Sequence, residues 1–388
     1  MIAVSKKILC SPKDLEHNGT DTSWVNVSSS WTLGDRALVR DAEAIYETAS
    51  ANVPDPIPSE YRKSMDGMAR GNVPWPLVIP AAVLREHISS ISLEFDDIME
   101  GLGRYAGTLE SSRRVLAALQ PCRIDLMELR VCQSQSMSQV LESFEPGPDS
   151  MCSPPIYSHA TATGRLTVQE GPRILTLQKE HRRILSSRFD GGKMMQVDFV
   201  SLEPRVLRLL RNGSAPIDIY ADVAEHIGGG ANRRQVKLAT LKLLYGSSRA
   251  GIAESVGELS GSSIRKIEDY FGLAGLRSRL ASELKDEGRI VSHWGRPLPE
   301  AREQHLLVSH FTQSTAVDVA LSGFGDLIEM IMSEDLDIVP CFVLHDALVI
   351  DVHPGAADRL EEIVAAGIDA QGLGHFEISL SPAYVSTE

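Results

Sequence analysis

The segment Met194-Met-Gln-Val-Asp-Phe-Val-Ser-Leu-Glu-Pro-Arg-Val-Leu207 decides the fold, because an apolar strand leads directly into a helix. The apolar run Met194–Val200 is typical of a buried strand, and a helical pattern follows through Arg211. Asp198 lies inside the strand, where a carboxylate is costly unless it is paired or binds a metal ion. The simpler alternative is that Asp198 only accepts hydrogen bonds from backbone amides.

A second apolar segment, Cys341-Phe-Val-Leu-His-Asp-Ala-Leu-Val-Ile350, predicts a hairpin that turns at His345-Asp346. This turn places Asp346 at the tip of the hairpin. Two aspartates on neighbouring strands can hold two divalent cations about 4 Å apart, an arrangement that serves in-line phosphoryl transfer. The two segments therefore predict a metal site at Asp198 and Asp346, unless each aspartate merely caps a turn.

A basic helix lies between these two segments. Asn232 is a suitable N-cap, and Arg233, Lys237, Leu241 and Tyr245 follow at spacings of four residues, so that they share one broad face. Cations near a helix N-terminus favour a triphosphate, and an apolar or aromatic residue further along can hold a base and a sugar. The alternative is an ordinary solvated amphipathic helix.

The rest of the chain predicts an α+β protein. Residues 1–75 contain turn-rich stretches and no candidate chemistry. Periodicity and capping signals predict further helices and strands. The helices are expected at 81–144, 217–227, 263–271, 274–287, 302–332 and 356–366, and the strands at 173–177, 290–293 and 376–380.

Charge and composition restrict the possible functions. The 388 residues carry a net charge of −14, yet residues 165–249 hold 15 Lys and Arg against 8 Asp and Glu. A basic centre in an acidic chain can hold phosphates locally. No apolar run is long enough for a membrane helix, and residues 1–10 do not resemble a secretory signal. Five scattered cysteines without a C-x-x-C pair favour reduced thiols and a cytoplasmic location.

Six segments, in the expected order, resemble the family A DNA polymerases, the bacterial DNA polymerase I type. Asp198-Phe-Val-Ser-Leu-Glu-Pro-Arg resembles motif A, Arg233-x3-Lys237-x7-Tyr245-Gly246 is similar to motif B, and His345-Asp346-Ala-Leu-Val is similar to motif C. The flanking segments are Thr161-Ala-Thr-Gly-Arg-Leu, Asp218-Ile-Tyr and Gln313-Ser-Thr-Ala-Val-Asp. The resemblance covers about His159 to the C-terminus.

The resemblance implies a right-hand polymerase of compact, phage-like form, with an antiparallel palm sheet, helical fingers and a helical thumb. The implied divisions are a preamble without an exonuclease (1–80), the thumb (81–150), the first part of the palm (151–214), the fingers (215–290) and the second part of the palm (291–388).

The resemblance also implies a role for each candidate residue. Asp198 and Asp346 would be catalytic and would bind two Mg²⁺ ions, for which Mn²⁺ can substitute. The implied substrate-binding residues are Arg233 and Lys237 at the triphosphate, Leu241 and Tyr245 beside the nucleotide, Glu203 against the 2′-hydroxyl, and Arg165, Gln313 and His345 at the primer end.

The implied function is template-directed DNA synthesis on a primer 3′ end, without proofreading. Primer–template DNA and deoxynucleoside triphosphates would be the partners, with no membrane; a replisome or processivity partner is left open. Leu241, Lys242 and Ala347 depart from the family pattern, which has an aromatic residue, Gly and Glu there. A catalytically degenerate nucleic-acid-binding protein therefore stays an alternative, as does a single-subunit RNA polymerase, which Glu203 disfavours.

Overall fold

The computed structural model describes residues 104–384 except 136–138, 160, 229, 258 and 299–305, together with three short strands near the N-terminus. The rest of the predicted preamble and residues 81–103 of the predicted thumb lie outside the described residues. The chain forms two compact units, residues 1–117 and 118–388. In the first unit β1 (Ile2–Val4), β2 (Asp14–His17) and β3 (Thr22–Val25) pair in antiparallel order. Helix α1 (Arg104–Ala118) ends at the boundary.

The second unit carries the remaining elements. Its helices are α2 (Leu126–Gln135), α3 (Gln139–Glu142), α4 (Leu202–Asn212), α5 (Ile219–Ile227), α6 (Arg233–Leu244), α7 (Arg249–Val256), α8 (Gly261–Phe271), α9 (Leu273–Glu287), α10 (Leu307–Ser333) and α11 (Ala357–Ala366). Its strands are β4 (Cys122–Ile124), β5 (Met151–Cys152), β6 (Ile156–Ser158), β7 (Thr167–Glu170), β8 (Leu185–Ser186), β9 (Lys193–Phe199), β10 (Ile338–Leu344), β11 (Ala347–Val352), β12 (Ile368–Ala370), β13 (Gly374–Phe376) and β14 (Ile378–Pro382). Short 3₁₀ helices span Ile174–Thr176, Lys179–Ile184 and Pro354–Ala356.

A four-stranded antiparallel sheet with the order β10-β11-β9-β14 forms the centre of this unit. All six residues of β11 are buried, which explains why the segment has no polar–apolar alternation. The register places Ala347 opposite Asp198 on one side of β9, and Ser379 opposite Asp198 on the other. The predicted hairpin, its turn at His345-Asp346 and the α+β class are confirmed.

The long helix α10 packs closely against this sheet. Gly323 allows the approach, because a Cβ atom there would lie 2.9 Å from both Phe199 and Ile368. The rings of Phe199 and Phe324 are 5.4 Å apart, and Phe376 packs on the other side of Phe199 at 6.1 Å. This apolar contact holds β9, which carries Asp198, against α10.

Helices α5 to α9 form a helical cluster with its own core. Asp218, Asn232, Ser248 and Ser260 cap four of these helices, each accepting hydrogen bonds from backbone N–H groups of the first turn. Their buried faces meet in a core that includes Val223, Val236, Ala239, Ile252, Ile264, Ile267 and Leu280. Local capping signals therefore set where these helices begin.

The strand expected at 173–177 was wrong, because Ile174–Thr176 is a 3₁₀ turn. Ile174 and Leu177 are both buried, and their spacing of three residues places them on one side of such a turn. The four described cysteines are buried and free. Among the described residues, no helix is both long and apolar enough to span a bilayer.

Candidate active site

A cleft of about 360 Å³ lies between the central sheet, α10 and the helical cluster. Nine of the ten predicted site residues line it: Arg165, Asp198, Glu203, Lys237, Leu241, Tyr245, Gln313, His345 and Asp346. Their sequence positions are up to 181 residues apart, so the fold alone brings them together. Arg233 is the predicted residue that does not line the cleft.

Asp198 lies near the end of β9, and Asp346 lies in the turn between β10 and β11. The backbone N–H of Phe199, next to Asp198, donates to the carbonyl of Asp346 at 3.2 Å. Burial raises the pKa of Asp198, although Lys179, Lys237 and Arg182 oppose the shift. Burial, followed by the charges of Asp198 and Glu203, raises the pKa of Asp346 to about 6. The two carboxylates therefore repel each other in a partly dehydrated site.

These carboxylates fit divalent cations. Mg²⁺ prefers oxygen ligands and is usually held by one or two carboxylates, with water and substrate phosphates completing its shell. The part of the chain that the structure describes contains no cluster of three or more His, Cys, Asp or Glu that would form a closed metal cage. Burial is the main cause of the raised pKa of Asp346, and a cation between Asp198 and Asp346 would offset the repulsion that adds to it.

Two residues beside the aspartates adopt a left-handed backbone. Ser201 has a φ of 54° at the start of α4, and His345 has a φ of 53° in the turn before Asp346. Such conformations are costly for residues other than glycine and are concentrated at functional sites. Burial, together with the charges of Arg165 and Arg182, lowers the pKa of His345, which favours the neutral imidazole.

Glu203 is held by two other predicted site residues. Arg165 Nη2 donates to Glu203 Oε1 at 2.8 Å, and the Tyr245 hydroxyl donates to the same oxygen at 3.3 Å. The guanidinium of Arg165 also lies 5.8 Å from the centre of the Tyr245 ring. Glu203 does not pair with the nearby Arg205, which reaches Glu377 at 3.5 Å instead. The ion pair of Glu203 therefore lies inside the cleft.

Arg233 is held away from the cleft lining by the cap of the preceding helix. Its Nε atom donates to Asp218 Oδ2 at 2.7 Å, and its side chain is 57% exposed. Arg233 and Lys237 each lie 5.6 Å from the centre of the Tyr220 ring, which lines the cleft. Sequence reasoning missed Tyr220 as a site residue, although the Asp218-Ile-Tyr segment contains it.

Two further cations near Asp198 were also missed. Lys179 and Arg182 come from the 3₁₀ helix Lys179–Ile184, and both oppose the rise in the pKa of Asp198. Arg182 Nη1 donates to Gln196 Oε1 at 3.0 Å, which orients it along β9. The run Lys179-Glu-His-Arg-Arg183 was the available signal. The candidate site therefore combines two acidic ligands with cations from two separate elements.

Comparisons with known proteins find DNA polymerases. No protein-family model matches the chain. It is 23% identical to DNA polymerase I of Lactococcus lactis over 285 residues, covering 64% of this chain and 32% of the relative. It is 26% identical to a DNA polymerase of Mycobacterium phage L5 over 210 residues, covering 51% and 33%. The chain thus matches about a third of the length of these relatives.

A solved structure has a similar fold. The polymerase domain of Pol1 from M. smegmatis, in a complex with a DNA primer–template and dNTP, superimposes with a TM-score of 0.50 and 17% identity. The superposition covers 91% of this chain and 65% of that structure. The sequence similarity and the shared fold confirm the resemblance to a family A polymerase domain.

Proposed function

We propose that the chain is a template-directed DNA polymerase that adds deoxynucleotides to the 3′ end of a primer and releases pyrophosphate. The observation that carries this proposal is the pair Asp198, near the end of β9, and Asp346, in the adjacent β10–β11 turn, in a cleft that Lys237 also lines. Acidic ligands on one wall and a cation on another suit a magnesium-bound triphosphate.

Asp198 and Asp346 would hold two Mg²⁺ ions, or Mn²⁺ in their place. When bound, such ions lower the pKa of the attacking 3′-hydroxyl and stabilise negative charge on the leaving group. The contribution of the chain itself is to position the two carboxylates that would hold the ions. The antiparallel pairing of β9 with β11 sets the spacing of the carboxylates, and the strained turn at His345 directs Asp346 toward the cleft.

Lys237 would bind the triphosphate, with Arg233 at the edge of the site. Arg233 is held by Asp218 in the present arrangement, so it would have to exchange that carboxylate for a phosphate. Tyr220 adds an aromatic surface to the cleft, and Lys179 and Arg182 add two further cations near Asp198. Charge-assisted hydrogen bonds of this kind are roughly twice as strong as neutral ones.

Glu203 would exclude ribonucleotides by occupying the space beside the C2′ position of the sugar. Its bonds to Arg165 and Tyr245 limit its rotation, so the exclusion would rest on a fixed side chain. Leu241 lines the same cleft where the family has an aromatic ring, and it would leave the pocket looser. Moderate sugar selectivity is therefore expected.

Arg165, Gln313 and His345 would contact the primer end or its minor groove. Gln313 belongs to α10, where its Nε2 donates to Ser309 Oγ at 2.9 Å, and both Gln313 and Ala316 line the cleft. The central sheet would serve as the palm, the helical cluster as the fingers and residues 81–150 as the thumb. The absence of proofreading and a cytoplasmic location remain predictions.

Primer extension tests the proposal directly. A labelled primer on a defined DNA template is incubated with Mg²⁺ and either deoxy- or ribonucleotides, and the products are separated by length. Templated addition of deoxynucleotides is expected. Preferred use of ribonucleotides would favour the RNA polymerase alternative. No extension under any condition, combined with retained DNA binding, would favour a degenerate nucleic-acid-binding protein.

A further inference from the structure

Arg296 and Asp318 form an ion pair in the interior of the second unit, outside the cleft lining. Nε and Nη2 of Arg296 donate to Asp318 Oδ1 at 2.8 and 2.7 Å, and Ser292 Oγ donates to Oδ2 at 2.7 Å. The two side chains are 6% and 0% exposed. A buried pair of this kind is weak evidence for a gain in stability, but it holds both groups in one geometry.

The guanidinium of Arg296 lies directly against Gly164. A Cβ atom at position 164 would be 2.7 Å from Arg296 Cζ, and the φ of Gly164 is +72°, which other residues rarely adopt. Glycine at this position therefore lets the backbone rest on the guanidinium. Gly164 belongs to the segment Thr161-Ala-Thr-Gly-Arg-Leu, which the sequence singled out.

Gly164 belongs to the loop between β6 and β7. Its N–H donates to the carbonyl of Thr161 at 3.1 Å, and its own carbonyl lies 3.1 Å from His159 Nδ1. The Thr161 hydroxyl donates to the carbonyl of Arg165 at 3.0 Å. The loop is therefore internally bonded, and Gly164 is the residue at which it contacts Arg296.

We propose that Arg296 and Asp318 are positioning residues that hold Arg165 in the cleft, where it contacts Glu203. Asp318 fixes Arg296, Arg296 supports Gly164, and the next residue, Arg165, reaches Glu203 at 2.8 Å. The proposal rests on the polymerase function proposed above. It gives the buried carboxylate of Asp318 a role in the arrangement of the cleft.

The first test removes the ion pair without leaving an unpaired charge. The double variant Arg296→Met/Asp318→Leu keeps similar volumes, a replacement that natural buried pairs often tolerate. We expect kcat/KM for primer extension to fall at least about tenfold, because misplacing a substrate-contacting group is costly. The matched control is Arg188→Met/Asp351→Leu, which removes an ion pair with a buried aspartate that does not line the cleft.

The effect of Arg165→Ala in the wild type and in the double variant distinguishes a positioning role from a general structural role. Arg165→Ala should lower kcat/KM in the wild type but add less than about twofold in the double variant, because Arg165 is already misplaced there. Gly164→Ala, which keeps the ion pair, should reproduce the loss. If Arg165→Ala lowers kcat/KM as much in the double variant as it does in the wild type, the proposal is overturned.

Hydrogen exchange gives a readout that does not depend on activity. In the double variant the backbone amides of residues 161–166 should exchange at least about tenfold faster, while those of residues 321–333 should be unchanged. Unchanged exchange in the loop would overturn the positioning role. A wild-type protein that extends no primer would refute the polymerase proposal, while the exchange comparison would still test the ion pair.

Discussion

Replacing Asp346 with Asn should stabilise the protein in the absence of metal. The pKa of Asp346 is raised from 3.8 to about 6, first by burial and then by the charge of Asp198. Each pKa unit corresponds to about 1.4 kcal/mol, so ionised Asp346 costs the folded state up to about 3 kcal/mol at neutral pH. The amide of Asn also loses hydration, so we expect a gain of about 1–2 kcal/mol from Asp346→Asn.

The sign of the pH dependence follows from the direction of this shift. The folded protein binds the proton more tightly than the unfolded chain, so the wild type loses stability as the pH rises through about 6. Below the unfolded pKa both states bind the proton and the cost disappears. The advantage of Asp346→Asn should therefore be full at about pH 8 and small at about pH 4.

Urea unfolding after treatment with a chelator measures this difference. Unfolding is followed by circular dichroism at several pH values for the wild type, Asp346→Asn and the control Asp190→Asn. Asp190 is exposed in the turn before β9, so its replacement should change the free energy of unfolding by less than about 0.5 kcal/mol. Adding Mg²⁺ should stabilise the wild type but not Asp346→Asn. An Asn variant that is less stable than the metal-free wild type, or a difference independent of pH, would refute this reasoning.

Four kinetic outcomes are expected from the proposed function. Asp198→Ala should abolish primer extension while sparing duplex binding, because affinity comes mainly from phosphate contacts; extension above about a tenth of wild type would contradict the metal-ligand role. Lys237→Ala should raise the KM for nucleotide or lower kcat by at least about tenfold, measured at steady state, whereas unchanged constants would make α6 a surface helix. Glu203→Ala should improve the ratio of kcat/KM for ribo- over deoxynucleotides at least about tenfold, and an equal ratio before and after would exclude Glu203 from sugar selection. A mismatched, end-labelled primer incubated with Mg²⁺ alone should keep its length, and steady release of its terminal nucleotide would reveal a nuclease.

Much of the fold could be predicted because its signals are local. Asn232 and Asp218 begin their helices by bonding backbone amides within three residues, so sequence reasoning placed α5 and α6 within two residues of their observed starts. The strand expected at 173–177 failed for a related reason. Two buried residues three positions apart fit either a strand end or a 3₁₀ turn, and periodicity over so short a run cannot separate them.

The candidate site, like the fold, has features that the sequence predicted and features that it did not. Asp198, Asp346 and Lys237 were predicted as site residues because each residue type suits its proposed role, and all three line one cleft. No sequence pattern indicated that Arg165 pairs with Glu203 or that Asp218 holds Arg233 away from the lining. Each of these side chains has several possible partners in the sequence. Which partner it contacts depends on distances that are set only by tertiary packing.

By itself, the sequence determined the capped helices, the two apolar strand segments that carry the aspartates, the carboxylates and cations available to the site, and the resemblance to a polymerase family. These depend on residue type and on spacings within about a dozen positions. Only the tertiary structure decided that burial and the nearby charge of Asp198 raise the pKa of Asp346. It also decided that Arg165 and Tyr245 donate hydrogen bonds to Glu203, and that Arg296 contacts Gly164. Each of these joins segments far apart in the chain, and burial and contact between such segments exist only once the sheet, α10 and the helical cluster have packed together.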